Sequence, residues 1–176
     1  VIHLGHHDRA EVSQASVEQA KDSDPSTVGR PGRRVKLRLF LARFAEVQGA
    51  MLYALRMGWT EIGPEPSPFS IGGLIEVPWD ATNRPHKPEL SLIDGDGHPF
   101  SVPTPAGDQP LRFEVAFDVG RPPGVTPGRS FMVPVALNLG PLPFQPGRSY
   151  VVRATIDGEV LDEVTFAVRP APTPHG

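Results

Sequence analysis

The residue types most suited to binding or catalysis lie together in one predicted loop, residues 79–87. An indole, a carboxylate, an amide, a guanidinium and an imidazole occur in this short stretch: Trp79, Asp80, Asn83, Arg84 and His86. An exposed indole beside such polar groups suits a sugar or a peptide, because the ring offers apolar area while its neighbours hydrogen-bond the ligand. The loop is therefore our candidate binding site, and a carbohydrate-binding module is one function that it would support.

A purely structural role for the same loop is the favoured interpretation. Gly73, Ile75 and Val77 precede Trp79 at a spacing of two, which predicts one inward face of a strand and places the indole in the core. Polar loop side chains would then bind the backbone of their own turn, as Asp and Asn commonly do.

Catalytic motifs are missing from the sequence. There is no G-x-S-x-G elbow, no S-x-x-K pair and no glycine-rich phosphate loop between a strand and a helix. A hydrolase that brings Asp80, His86 and a distant serine together only on folding stays open, because such triads are defined by geometry. Otherwise the sequence predicts a protein that is not an enzyme and has no catalytic residues.

Two histidine or aspartate clusters are candidates for a metal site, and both are incomplete. The run Asp94-Gly95-Asp96-Gly97 imitates a calcium loop, but His98 replaces the third ligand and Pro105 stands where the closing Glu belongs. A histidine cluster near the first residue lacks carboxylate or thiolate support, and its ordering would cost entropy: His3, His6 and His7. We therefore expect no metal and no cofactor.

Composition excludes several classes of partner. The formal net charge of −3 provides no positive field for phosphates, so nucleic acid is not an expected partner. The absence of cysteine excludes disulfides, thiolate metal sites and a cysteine nucleophile. No apolar run is long enough to span a membrane or resembles a signal peptide, which predicts a cytoplasmic protein with no membrane partner. Secretion stays open if residues precede Val1.

Alternation of apolar and polar residues predicts half-buried strands in several places. Their apolar faces are Val35, Leu37, Leu39 and Leu41; Phe113, Val115, Phe117 and Val119; Phe131, Val133, Val135, Leu137 and Leu139; Tyr150, Val152, Ala154 and Ile156; and Val164, Phe166 and Val168. Less regular candidates at residues 51–58, 69–79, 89–94 and 98–102 bring the total to about nine. The 22 Pro and 18 Gly suit short strands and work against helices.

Turn signals connect these strands into hairpins. Asp94-Gly95-Asp96-Gly97 and Asp157-Gly158 predict tight hairpins, and two Pro-Gly pairs at 127–128 and 146–147 predict type II turns. Pro134, inside a good strand, removes a hydrogen-bond donor and predicts a sheet edge or a bulge. The fold class is therefore all-β, an antiparallel two-sheet β-sandwich of immunoglobulin-like or similar topology, with a closed barrel as the alternative.

Two ends of the chain fall outside this domain. Residues 1–34 are polar with balanced charges, which predicts a disordered N-terminal arm. Residues 170–176 contain three prolines and predict a disordered tail. The β-sandwich domain then covers residues 35–169.

The sequence also resembles a bacterial family known only as a domain of unknown function. The similar segments are residues 39–48, 58–60, 74–80, 83–86, 119–124 and 138–142. The resemblance would cover the chain from about Val35 to Arg169 and implies a bacterial origin. It implies no activity, ligand or catalytic residue.

Together these features predict a non-catalytic interaction module that binds an unknown protein partner or a second copy of itself. The carbohydrate-binding module and the hydrolase remain the alternatives.

Overall fold

The computed structural model of the chain describes residues 34–172. The predicted arm therefore lies outside the described residues except for Arg34, and so does the tail beyond residue 172. The described part is mostly β-structure without an α-helix, as the composition predicts. Its strands are β1 (Lys36–Ala42), β2 (Phe44–Gln48), β3 (Met51–Leu55), β4 (Glu61–Ile62), β5 (Phe69–Val77), β6 (Pro88–Asp94), β7 (Ser101–Thr104), β8 (Gly107–Pro110), β9 (Arg112–Glu114), β10 (Phe131–Leu139), β11 (Ser149–Ile156) and β12 (Glu159–Val168).

One antiparallel sheet has the strand order β1-β5-β10. Leu37, Ile75 and Val133 form one row across it, in agreement with the alternation of each strand. Pro134 lies in β10 at the edge of this sheet, the position in which a residue without an amide N–H is tolerated. The edge position predicted from Pro134 is therefore confirmed.

A second sheet has the order β4-β12-β11-β6-β9 and is antiparallel except for the short β4–β12 pair. Strand β11 lies at its centre and buries every second residue: Tyr150, Val152, Ala154 and Ile156. The period of two predicted from the sequence is confirmed for this strand.

The core fills the space between these two sheets. Side chains from the first sheet, such as Leu41 and Ile71, belong to one buried cluster with Val152 and Val168 from the second. An aromatic group lies inside the same cluster, formed by Phe69, Phe144, Tyr150 and Phe166 with Trp59 edge-on against two of the rings. Burial of these rings is the principal stabilisation that holds the sheets together.

The tight turns have the conformations that their residues predict. Asp157 and Gly158 both have positive φ (54° and 86°) between paired β11 and β12, which is the two-residue hairpin turn. Gly147 has a φ of 79° and the N–H of Arg148 donates to the carbonyl of Gln145, as in a type II turn with Pro at the second position.

Several strand predictions differ from the structure. The run of Phe113, Val115, Phe117 and Val119 is not one strand: β9 ends at Glu114, Val115 is exposed, and Phe117 forms only an isolated bridge with His86. Strand β6 begins at Pro88, and β9 pairs with it at only three positions. The segment predicted at 98–102 begins as a strand only at Ser101.

Three further strands account for the remaining difference in strand number: β2 and β8, each in a small hairpin, and the two-residue β4. Strands β2 and β3 pair with each other, and so do β7 and β8, which gives twelve strands in four sheets instead of about nine in two. The segment that forms β2 was not predicted as a strand. Its buried position is Ala45, whose small side chain gives only a weak apolar signal.

Candidate functional site

The loop predicted as a binding site follows β5 directly. Pro78 ends the strand, and Trp79–Ala81 form one turn of 3-10 helix. The hydroxyl of Thr82 donates to the carbonyl of Trp79 at 2.7 Å and closes that turn. This short element fixes where the indole lies.

The indole of Trp79 is half-buried and contacts two other side chains. It stacks on the ring of Phe131, with centroids 6.2 Å apart and planes 20° apart. The guanidinium carbon of Arg121 lies 4.3 Å from the indole centroid, and Nη2 of Arg121 donates to the Trp79 carbonyl at 2.6 Å. These contacts hold the ring against the protein at the border of the core. Arg121 was not predicted as a site residue, although it lies in one of the segments that resemble the family of unknown function.

His86 is the most informative residue of the loop because its imidazole is fully buried, at 0% exposure. Nε2 donates to the carbonyl of Ala81 at 2.8 Å, since a carbonyl oxygen only accepts. Nδ1 lies 3.1 Å from Oδ2 of Asp157, and the ring packs on Phe117 at 5.4 Å. The imidazole is therefore held on three sides by contacts within the fold.

Asp157 joins this loop to the turn between β11 and β12. Its Oδ1 accepts the backbone N–H of Lys87 at 3.0 Å, while Oδ2 faces His86. The Lys87 N–H, and to a lesser degree the hydrogen bond and charge of His86, lower the pKa of Asp157 below its usual value. The sequence identified Asp157 only as a turn residue.

The five predicted site residues do not converge on one surface. His86 is buried, Trp79 is half-buried, and the other three are exposed: Asp80, Asn83 and Arg84. Asn83 has a positive φ of 57°, and its N–H donates to the carbonyl of Val119, so its backbone stabilises the conformation of the loop. Both nitrogens of His86 already have partners within the fold, which leaves neither to activate a serine.

The acidic hairpin at residues 94–98 is also held by internal contacts. Ligand atoms of Asp94, Asp96 and His98 lie within 4.8 Å of one another, beside a surface pocket of about 240 Å³. However, Oδ1 of Asp94 accepts the N–H groups of Asp96 and His98, and the His98 N–H is the main cause that lowers the pKa of Asp94. Oδ2 of Asp96 is 3.1 Å from the guanidinium of Arg148. These contacts are those of a closed hairpin turn.

A different region exposes apolar side chains on one continuous surface. In the hairpin β2–β3, Phe44 lies opposite Leu55, and Tyr53 and Met51 follow on the same face of β3. Their exposures are 43% for Phe44, 65% for Leu55, 44% for Tyr53 and 58% for Met51. We call these four residues the hairpin patch.

The hairpin is attached to the first sheet by an asparagine. Nδ2 of Asn138 in β10 donates to the carbonyl of Ala45 at 2.8 Å, and its Oδ1 accepts the Ala45 N–H and the hydroxyl of Ser70. Ala45 itself is fully buried. One face of the hairpin is thus fixed to the body of the domain, and the hairpin patch lies on the other face.

Comparison with known families gives a match over most of the described chain. A model of a family of unknown function, DUF6941, matches residues 38–169. The chain belongs to this family. The resemblance inferred from the sequence is therefore confirmed, and it brings no activity with it.

Other comparisons with this DUF6941 domain are weak. An immunoglobulin-like protein from Pseudomonas aeruginosa, known from a crystal structure, is 14% identical and has a TM-score of 0.39. The match covers 80% of this chain and 100% of that one, and at this similarity it carries no functional argument. A comparison with curated proteins gives no match. Within residues 34–172, no helix has the length and apolar character needed to cross a membrane.

Proposed function

We propose that this DUF6941 domain is a non-catalytic β-sandwich module that binds a protein chain through the hairpin patch. The observation that supports this function best is the contiguous exposure of Phe44, Met51, Tyr53 and Leu55. Single exposed apolar residues are normal, but a contiguous apolar group rimmed by polar residues is typical of a protein interaction site.

The chemistry of the patch favours a protein over a sugar. It offers two aromatic rings and two aliphatic side chains, and the one acidic side chain on that face is Glu46, opposite Tyr53. Sugar sites need several hydrogen-bonding groups beside the ring. Large apolar and aromatic side chains with few charges are instead the composition of a protein interface core.

The alternatives at residues 79–87 have less support. A carbohydrate site would need the indole of Trp79 free beside its polar neighbours, whereas Phe131 and Arg121 contact it. A hydrolase would need His86 next to a nucleophile, whereas both of its ring nitrogens are engaged by Ala81 and Asp157.

Site-specific photo-crosslinking tests the proposal. A benzophenone amino acid replaces Tyr53 in the patch or, as the control, Glu114, an exposed residue of β9 in the second sheet. The expected result is a discrete adduct from position 53 in the cells that make the protein, and none from position 114. Excess purified wild-type chain should compete the adduct away, and excess Leu55→Asp chain should not. Equal labelling at both positions would contradict the proposal.

A further inference from the structure

The hairpin ends in a free strand edge. Strand β3 pairs with β2 on one side, and no other described strand pairs with it on the other. A free edge presents unpaired backbone N–H and C=O groups that another strand can bind. Proteins normally protect such edges with charged side chains, prolines, bulges or very short strands.

The other edges in the described structure carry such protection. β10 contains Pro134, and the short pair β7–β8 contains Pro103 and Pro110. β9 is three residues long with Arg112 and Glu114 at its ends, and β4 has two residues. Strand β12, which β4 covers only at Ala167 and Val168, carries charged side chains along the rest of its edge: Glu159, Asp162 and Glu163.

The remaining edges are covered by side chains. On β1, the N–H of Leu39 donates to Oδ2 of Asp162 at 2.8 Å. On β2, the amide of Asn138 binds both backbone groups of Ala45. Strand β3, with the sequence Met-Leu-Tyr-Ala-Leu, has no charge, no proline and no glycine. Among the edges of the described fold, β3 is therefore the one that lacks a charged side chain, a proline or a covering side chain.

The sequence of β3 is suited to pairing with itself. In an antiparallel pair centred on Tyr53, each Met51 would face the partner's Leu55 and each Leu52 would face the partner's Ala54. The two tyrosines would meet at the two-fold axis, as an isologous interface requires. Every position along the seam is uncharged, so no like charges meet there.

The nearest charge on the exposed face also allows this arrangement. Glu46 lies on β2 opposite Tyr53. In a joined sheet of order β2-β3-β3-β2, the two Glu46 side chains would be three strand spacings apart, about 14 Å. This separation exceeds the Debye length of about 8 Å at physiological ionic strength, so their repulsion is screened.

We infer that two copies of this chain associate through β3, edge to edge and antiparallel about Tyr53, and form a continuous four-stranded sheet with the hairpin patches side by side. This inference rests on the proposed function and specifies the partner as a second copy. The patches of the two copies form one larger apolar face on that sheet.

Sedimentation of the purified full chain tests the association. The wild type is expected to form dimers with increasing concentration. Tyr53→Lys should weaken the dimer about tenfold, because it removes a ring pair and brings two like charges together at the axis. The matched control is Val160→Lys, at a 51% exposed apolar position in β12 of the other sheet, which should leave the dimer unchanged.

Cysteine crosslinking tests the register, since the native chain has no cysteine. Tyr53→Cys should give a disulfide-linked dimer on mild oxidation, because residues opposite one another at a two-fold axis have Cα atoms about 5 Å apart. Met51→Cys alone should not, because its copies would lie about 14 Å apart along the strands. The double variant Met51→Cys, Leu55→Cys should crosslink again.

The outcomes separate this inference from the proposed function. A chain that stays monomeric, or a dimer that crosslinks through Val160→Cys and not through Tyr53→Cys, would overturn pairing through β3. In either case, a competed adduct of position 53 with another protein would still support the interaction module. If position 53 gives neither a dimer nor a specific adduct, both proposals are wrong.

Discussion

The loop at residues 79–87 contains residue types that often bind ligands but uses several of them within the fold, whereas the hairpin β2–β3 contains ordinary apolar residues and exposes them. The loop contains the groups that bind and catalyse in many proteins, but His86, Trp79 and the backbone of Asn83 bind within the fold. The hairpin contains ordinary apolar residues, but those of the hairpin patch are 43–65% exposed to solvent. Residue type shows what a side chain is able to do, whereas its partners show whether it remains available to a ligand.

The comparison predicts that substitutions in the two regions have different effects on stability and on association. Substitutions of the loop residues that pack within the fold, His86 and Trp79, should lower the free energy of unfolding, because they break buried contacts. Substitutions in the hairpin patch should leave that free energy nearly unchanged and act on binding.

His86→Ala is expected to have the largest effect, a loss of about 3 kcal/mol in the free energy of unfolding. The change removes the donor to the Ala81 carbonyl and the partner of Asp157, and it leaves a cavity beside Phe117. Urea unfolding measures the loss. Arg84→Ala, an exposed change two residues away, is the control and should stay within about 0.5 kcal/mol. A small effect of both would mean that the loop is not held through His86.

Trp79→Ala should cost about 2 kcal/mol, since the indole is half-buried against Phe131. Arg121→Ala should cost about 1 kcal/mol through the lost contact with the ring and the Trp79 carbonyl. A double-mutant cycle between the two should give a coupling of about 1 kcal/mol. Fluorescence of a Trp59→Phe chain reports on Trp79 alone. Red-shifted, readily quenched emission would show a free indole and would restore the binding-site interpretation of the loop.

Asp157→Asn tests, through the pH dependence of stability, the contacts of Asp157 with His86 and with the Lys87 N–H. The folded-state pKa of Asp157 lies below the unfolded value of about 3.9, so its carboxylate stabilises the fold above that pH. This contribution is lost as the pH falls through the folded-state pKa. Because the side chain is 47% exposed, solvent screening limits it to under about 1 kcal/mol.

Unfolding of the wild type and of Asp157→Asn from pH 6 to pH 3 measures that contribution. The stability difference between them should shrink toward the acidic end. Asp80→Asn, at an exposed carboxylate of the same loop, is the control. A difference that grows on acidification would contradict the assigned direction.

The sequence predicted the parts of the fold that local pattern determines. Alternation located β1, β10, β11 and the second half of β12. Turn chemistry located the hairpin at Asp157-Gly158, and the missing N–H of Pro134 indicated that its strand lies at an edge. It failed at residues 113–119, because alternation cannot show whether a partner strand is present along the whole run. Strand β6 begins at Pro88, and β9 therefore ends at Glu114.

The candidate site was harder to predict because its decisive contacts join distant residues. His86 and Asp157 are 71 positions apart, and Arg121 lies 42 positions from Trp79, so neither pair leaves a local pattern. The hairpin patch was missed for a different reason. Residues Met51 to Leu55 are all apolar, so they show no alternation that would indicate which face points inward, and the structure shows that Tyr53 and Leu55 face outward.

Leu55→Ser is the prediction with the smallest effect on stability, and it tests the hairpin side of the comparison directly. Leu55 is 65% exposed, so its truncation buries no polar group and opens no cavity, and the free energy of unfolding should change by less than about 0.5 kcal/mol. The matched control is Leu41→Ser in β1, where the same change occurs at 1% exposure and should cost more than about 3 kcal/mol. Urea unfolding at low protein concentration measures both, so that association does not contribute. If Leu55→Ser proves as costly as Leu41→Ser, then Leu55 is covered in the folded chain, and the hairpin patch is part of the core instead of a surface for a partner.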